Sequence, residues 1–437
     1  MKLKSLLFGS AAVFAVGTGA QAADLPTVEP VEYVRICDVF GTGYYYIPGT
    51  ETCLKIGGYV RVESHYVDGD TGWTGGAPFN TNLYLVHEGH VNNWTTRVRG
   101  QVNFDARTQT DIGLVRAYIA MEMTVGPGAT SVAAPSVLFP NTVANSNPNY
   151  SGTGPNLASA YITNTNDWGT YTAGKRGSFF DFWGSDIYGT RLGLQDGTAD
   201  TTLFAWTFAG GNGFTFTIAA EDPASSGRYL GGDDDYEGQE SPDGVANIRV
   251  DQGWGSAQIM GAVRRIHDYT GPAGLQDATD DSELGFAVGA GLSLGIPGGW
   301  AFNAQGGYSE GMIGYISGDP GGLGDIDTVV AGGADAGQNE SWAVRAGING
   351  PLLSPNLNVR LNGNYIHVEE DTGSDEYDFW AIIAGAAYTL APGLTIGPEF
   401  AYRTLDVTDA AGGTDAADEA RGDYDVWGVM WRIQRSF

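Results

Sequence analysis

Trp427-Gly428-Val429-Met430-Trp431-Arg432-Ile433-Gln434-Arg435-Ser436-Phe437 is the last stretch of the chain, and it alternates. Trp427, Val429, Trp431, Ile433 and Phe437 share one face, while Gly428, Met430, Arg432, Gln434 and Ser436 share the other. A period of two sends successive side chains to opposite sides of a strand, so one face is aromatic and aliphatic and the other polar and small. The pattern recurs upstream. Leu284, Phe286, Val288, Ala290, Leu292 and Leu294 oppose Glu283, Gly285, Ala287, Gly289, Gly291 and Ser293. Trp300, Phe302, Ala304, Gly306 and Tyr308 oppose Asn303 and Gln305, and Leu357, Val359 and Leu361 oppose Asn358, Arg360 and Asn362. Such segments run about ten residues, the length with which a tilted strand crosses a bilayer, and about twice the usual strand of a soluble sandwich.

The connections alternate as well. Tight turns are expected near 105–110, 166–169, 210–213, 251–255, 296–299, 350–356 and 391–393. Between them lie long stretches rich in Gly, Asp and Asn, near 68–93, 124–156, 178–200, 222–244, 268–281, 310–340, 370–377 and 408–423. Seven turns and eight loops join sixteen strands, an even number that leaves both ends on one side of a membrane. Short turns on one side and long loops on the other are the habit of outer-membrane barrels, whereas soluble domains rarely carry so many long loops.

Hydrocarbon offers no partner to an unpaired strand edge, so such a sheet must close. The expected fold is therefore all-β: a transmembrane antiparallel sixteen-stranded barrel over 54–437 with long extracellular loops. Sixteen strands enclose water rather than a packed core. That explains inward Arg, Asn, Gln and Glu, which an apolar interior would leave unpaired at a cost of kilocalories each. The predicted strands show no inward apolar cluster that would fill the lumen, and no plug domain is signalled.

The start of the chain fixes the compartment. Lys2 and Lys4 precede the apolar stretch Leu6–Val16, and Ala20-Gln21-Ala22 is an A-x-A cleavage site. Residues 1–22 read as a secretory signal peptide, with Ala23 starting the mature chain. An N-terminal anchor is the rival reading, but the apolar run is too short to span. No later run of eighteen apolar residues exists. The formal net charge is −29, and losing Lys2 and Lys4 makes it more negative. So acidic a chain repels nucleic acid and cannot be a basic membrane-surface helix. The only cysteines, Cys37 and Cys53, lie close together in an exported chain. A disulfide in a periplasmic-side segment, 23–53, is the natural reading, and closing such a loop contributes on the order of 3 kcal/mol. A metal site is the alternative, but no His lies near and two thiolates do not complete a zinc shell.

Several residues are candidates for function. Phe437 ends an amphipathic strand, where a terminal aromatic is the signal that the barrel-assembly machinery reads. Aromatics near strand ends, among them Tyr66, Trp94, Trp206, Trp300, Tyr308, Trp342, Tyr402, Trp427 and Trp431, suit girdles at the two interfaces. Lys55, Arg61, Arg97, Arg99 and Arg116 share parity with Glu63, Gln101 and Asn103 and oppose Val60, Val62, Val98 and Val102, which puts them on the lumen face. Scattered solvated charge is the plain alternative, though in a pore the two readings merge. The third long loop opens with Gly177-Ser178-Phe179-Phe180-Asp181-Phe182-Trp183-Gly184, and Asp181, Asp186, Asp196 and Asp200 make it acidic.

The run from Val34-Arg35-Ile36-Cys37-Asp38 through Gly43-Tyr44-Tyr45-Tyr46-Ile47-Pro48-Gly49-Thr50-Glu51-Thr52-Cys53-Leu54-Lys55-Ile56-Gly57-Gly58-Tyr59-Val60-Arg61 resembles the opening of the alphaproteobacterial general porins. So do Asn103–Thr108, Leu114–Tyr118, Ser178–Phe182 and Gly253–Gln258, and the likeness runs from the leader to Phe437. The resemblance implies homotrimers in the outer membrane of a Gram-negative cell, in contact with lipid and lipopolysaccharide, passing small hydrophilic solutes and ions by passive diffusion without a cofactor. It also implies an inward-folded third loop, with Asp181 and Asp186 facing Arg61, Arg97, Arg99 and Arg116 across a narrow eyelet. Opposed charges there set up a transverse field that orients polar solutes and penalises apolar ones.

Rival functions find less support. A barrel lipase or protease needs a nucleophile beside a His, and no G-x-S-x-G or Walker pattern is present. His87-Glu88-Gly89-His90 lacks the spacing of a helical metal pair. Asp233-Asp234-Asp235-Tyr236-Glu237 offers oxygen ligands for Ca²⁺ without EF-hand spacing, so a solvated loop is favoured. A substrate-specific channel would show saturable block by one solute, and a soluble β protein would need no detergent.

Overall fold

The computed structural model describes residues 35–71, 94–126, 151–152, 155–186, 188, 200–223, 241–267, 282–316, 338–369, 376–408 and 424–437. The expected leader, His87-Glu88-Gly89-His90, the acidic run 233–237, Asp196 and most of each long loop lie outside these residues.

Sixteen long strands follow one another. They are Cys53–Thr71, Trp94–Thr110, Gly113–Gly126, Asn156–Asn166, Gly169–Gly177, Asp200–Gly211, Phe214–Asp222 and Asp243–Gln252, then Gly255–His267, Ser282–Ile296, Trp300–Glu310, Glu340–Leu352, Ser354–Glu369, Glu376–Ala391, Leu394–Thr408 and Tyr424–Ser436, strands 1 to 16 below. Each pairs antiparallel with its sequence neighbours. Strand 16 returns to strand 1, in a register from Tyr424 opposite Thr71 to Ser436 opposite Tyr59. Phe437 and Gly58 finish the seam by exchanging both backbone hydrogen bonds, at 3.0 and 3.2 Å. The ring is closed, and no strand edge is left for lipid to face. Two-residue strands at Tyr45–Tyr46 and Ser151–Gly152 attach to strands 1 and 3 without joining the ring.

Alternation decides which face meets which medium. On strand 16, Val426, Gly428, Met430 and Arg432 are buried, while Trp427, Val429, Trp431 and Ile433 are exposed. The exposed face is the lipid face. Its rings cluster in cross-strand pairs: Tyr66 with Trp427, Trp342 with Tyr365, and Trp380 with Tyr402, centroids 5.0 to 5.6 Å apart. Tyr308 and Tyr402 donate their hydroxyls to Glu340 and Asp425 at 2.8 and 2.6 Å. A ring in the apolar layer with its hydroxyl on a wet carboxylate is what an interfacial girdle requires.

Three expectations are corrected. Strands reach 19 residues, as in Cys53–Thr71, not ten. Residues 105–110 belong to strand 2, and the turn falls at Asp111–Ile112, because the alternation of Asp105, Arg107 and Gln109 continues the ladder. The lumen also holds an apolar cluster: Val67, Ile366, Val368, Tyr377, Phe379, Ala381, Ile383, Ala401, Leu405 and Val426 are all buried together. Strand 14 hid it. Tyr377, Phe379, Ala381 and Ile383 alternate with Trp380, Ile382 and Ala384, so both faces read as apolar and the sequence gives no inner side.

The Cys37–Cys53 disulfide is present. It packs with buried Tyr44 at the foot of strand 1.

The faces make opposite demands on charge. Ile382→Arg, on the lipid side of strand 14, should destabilise the barrel by roughly 2–4 kcal/mol, whereas Gln101→Arg on the lumen side should be nearly neutral. Urea unfolding in lipid vesicles, followed by tryptophan fluorescence, measures both.

Candidate pore constriction

The described part of the third long loop, residues 178–186 and Tyr188, lies against the inside of the barrel wall. Leaving strand 5, it runs along the inner wall from strand 7 to strand 16, fastened at each step. An irregular chain must find partners for its backbone groups, and the wall side chains supply them. Glu221 accepts from the Phe179 N–H at 2.9 Å, and Asn247 donates to the Phe179 carbonyl at 2.6 Å. The Gln305 Oε1 accepts from both Phe182 and Trp183, at 3.1 and 2.8 Å. Glu399 accepts from Tyr188 at 2.7 Å, and Arg432 donates to the Tyr188 carbonyl at 3.0 Å. The Tyr188 ring lies between two guanidinium groups, Arg432 at 4.0 Å and Arg360 at 4.6 Å.

Glycines on the inner wall make room for the loop's aromatics. A Cβ on Gly291 would stand 2.3 Å from the Phe182 ring, and one on Gly347 would stand 2.7 Å from Trp183. Gly289 lies under the tip of Phe180. The alternation of strand 10 exposed Gly289 and Gly291 as inward-facing; their use as a seat was not legible without the loop's path.

A second loop folds inward beside it. After strand 11, Met312 and the short helix Ile313–Ile316 are buried inside the barrel. Tyr315 meets Phe180 edge-on, centroids 5.2 Å apart, and donates its hydroxyl to Asp243 at 2.8 Å. Arg264 grips the same carboxylate with two bonds, at 3.0 and 2.9 Å, in a fully buried pair. Ile313 reaches the apolar cluster of strands 13–16. The lumen is thus narrowed from two loops, of which the sequence signalled one.

The expected arginines divide into two groups. Arg61, Arg97 and Arg99 stand together on strands 1 and 2, near Glu63 and Glu122. Glu63 has Arg61 and Arg97 at 3.8 and 3.9 Å and is bonded by Arg432, and Arg99 pairs with Glu122 at 3.1 Å. Arg116 stands apart at the periplasmic end of strand 3, where it and Arg107 share the Asp105 carboxylate at 2.9 to 3.1 Å. Tyr44 donates to that carboxylate at 2.8 Å, and burial followed by this bond pushes its pKa up to about 12, so it remains a donor. On the loop, the Asp181 carbonyl accepts from Gln258 at 3.5 Å. The Asp186 carboxylate is held by Asn303 and Asn349, at 3.1 and 2.7 Å, so it ties the loop to strands 11 and 12. Sequence reading missed Arg345, Arg360, Arg403 and Arg432, which are inward by parity on strands 12, 13, 15 and 16. Their alternation was visible; without the loop's path nothing distinguished them from other polar lumen residues.

A closed sixteen-stranded barrel with a polar, arginine-bearing lumen, girdled outside by aromatics and narrowed within by a fastened loop, defines an outer-membrane channel. The profile of the porin subfamily matches residues 24–430, and the chain belongs to that family. It is 30% identical over 447 residues to the porin Omp2a of Brucella suis and 28% identical over 455 residues to the porin Omp2b of Brucella canis, with each chain fully covered. Among solved structures it resembles the outer-membrane channel DcaP of Acinetobacter baumannii, with a TM-score of 0.63 at 16% identity over 90% of this chain and 99% of that one. The protein is an outer-membrane general porin, a β-barrel through which small hydrophilic solutes diffuse passively.

Gly291→Ala tests the seat. The added methyl collides with the root of the Phe182 ring, so the loop should shift off the wall. Single-channel conductance should rise above the parent's, with a loss of roughly 1–3 kcal/mol in stability. Planar-bilayer recording and thermal melting in detergent read the two effects.

Proposed function

We propose that the channel selects by size at the neck between the third loop and the wall of strands 1, 2 and 16, and that it prefers anions there. One observation carries the reading: the inward arginines Arg61, Arg97, Arg99, Arg345, Arg360, Arg403 and Arg432 outnumber the inward acids beside the loop, Glu63, Glu122, Glu221, Glu399 and Asp186. Fixed positive charge beside a narrow aqueous path raises the local concentration of anions and lowers that of cations. The residues 1–22 act as an export leader, 23–53 as the disulfide-closed periplasmic segment, and Phe437 as the assembly signal. The protein works as a homotrimer among outer-membrane lipid and lipopolysaccharide, after insertion by the barrel-assembly machinery, and catalyses no reaction. No nucleic acid, metal or cofactor takes part.

The reading is tested by reversal potential in planar bilayers under a KCl gradient. The parent channel should show the sign of chloride preference, and Arg97→Ser with Arg99→Ser should move the potential toward the cation side. An unchanged potential in the double variant would mean that these arginines do not line the neck. The trimer is checked separately: mild detergent extracts should run at three protomer masses before boiling and at one afterwards. A single-protomer band without heating would count against it.

A further inference from the structure

Below the third loop, the inner wall of strands 2 to 5 carries rings and cations in alternation. At the periplasmic foot, Lys55 Nζ stands 5.8 Å and the Arg107 guanidinium 5.1 Å from the Tyr44 ring centroid. One step up, the Arg116 guanidinium lies 5.0 Å from Tyr118 and 5.4 Å from Tyr161, and those two rings stack at 5.2 Å. Above them the Arg176 guanidinium stands 5.3 Å from Tyr161 and 4.9 Å from Phe179 at the root of the third loop. The register sets the spacing. Arg116 pairs with Thr163, which pairs with Thr172; Tyr118 pairs with Tyr161, which pairs with Gly174; and Arg176 lies two residues beyond Gly174. Two residues along a strand advance about 6.7 Å, so each step offers either a ring face or a cation at about that interval.

The charge along this wall is not compensated within it. Arg107 and Arg116 share one carboxylate, that of Asp105. Arg176 makes no hydrogen bond or ion pair among the described residues, and Lys55 makes none there either. The neighbouring acids are engaged, Glu122 by Arg99 and Asp200 by the Ser159 hydroxyl at 2.9 Å. Tyr44 is buried, but Arg107, Arg116, Arg176, Tyr118 and Tyr161 are only partly buried, so ring faces and unspent N–H donors remain open to the lumen. Arg107 uses only its Nε and one terminal nitrogen on Asp105. A guanidinium has five donors.

We propose that this wall is a binding lane for aromatic carboxylates, which stack on Tyr118 and Tyr161 while the carboxylate bonds to Arg107, Arg116 or Arg176. A ring stacks on tyrosine and guanidinium planes, and a carboxylate takes the fork of an arginine. A small inorganic anion gains only the second contact, and an apolar ring only the first. The lane rests on the protein being an open pore, since solutes reach it only through the lumen.

The test uses the mature protein in planar bilayers with KCl, adding sodium benzoate, with acetate and cyclohexanecarboxylate as comparisons. Benzoate should reduce the chloride current saturably, at a half-blocking concentration about fivefold below that of either comparison, as one ring contact of ordinary strength gives. Arg176→Gln should raise the benzoate value about fivefold relative to that variant's own open current. Tyr161→Leu should bring benzoate level with cyclohexanecarboxylate and leave acetate where it was. A conducting channel that benzoate and acetate affect alike, or block unaltered in both variants, would overturn the lane alone. The absence of any KCl conductance would overturn the pore reading together with it.

Discussion

Every feature of this protein depends on the backbone hydrogen bond. In hydrocarbon an unpaired N–H or C=O costs several kilocalories, so the sheet must return to its own first strand. The seam at Gly58 and Phe437 meets that demand at the last residue of the chain. Once closed at sixteen strands, the ring is too wide for its own side chains to fill. Water enters, and a polar residue on the inner face then costs little. The same two-residue period that sets Trp427 and Trp431 against lipid sets Arg432 against Glu63 inside.

A watery lumen allows a loop to enter, yet a loop inside a barrel faces the same backbone demand. Here the wall meets it with side chains. Glu221, Gln305 and Glu399 accept from loop N–H groups, and Asn247 and Arg432 donate to loop carbonyls. Acceptors spread over strands 7 to 15 fix the loop's course more firmly than one contact patch could. The inner glycines complete the fit, and Gly307 does for Ile316 what Gly291 does for Phe182. The buried Asp243–Arg264 pair, with Tyr315 as third partner, then locks one inward loop against the other. Removing one member of such a pair leaves an uncompensated buried charge, at a cost of about 3–5 kcal/mol. Pore width is therefore held by the contacts that fasten the two inward loops to the wall and to each other.

Much of the fold was legible in the sequence because lipid and water impose unlike residues on alternate positions. Strands 10, 11 and 16 could be assigned face by face, and six of the seven tight turns fell where expected, the exception being the turn at Asp111–Ile112. What was lost shared one physical cause. Strand 14 borders apolar surroundings on both sides, so its alternation vanished, and with it the sign that Met312 to Ile316 fold inward against the apolar wall. The site fared differently. Parity placed Arg61, Arg97, Arg99 and Arg116 inside, but parity gives a face and not a height. Arg116, three residues past the turn, stands at the mouth with Asp105, while Arg61 and Arg99 meet near mid-strand. Asp186 carries a charge that sequence reads as field, and two asparagines make it a tether.

Net charge and local charge separate in this molecule. The chain is strongly acidic, yet inward arginines exceed inward glutamates at the neck. The two facts do not conflict. At physiological ionic strength a charge in water is screened beyond about 8 Å, so acids elsewhere on a long barrel contribute little potential to its middle. Inside the neck, low-dielectric walls confine the field, and charges a few ångströms away dominate. On the proposed reading, the basic neck and not the overall acidity decides which ion proceeds. Overall acidity repels nucleic acid; the proposed selectivity belongs to the few guanidinium groups within reach of the ion.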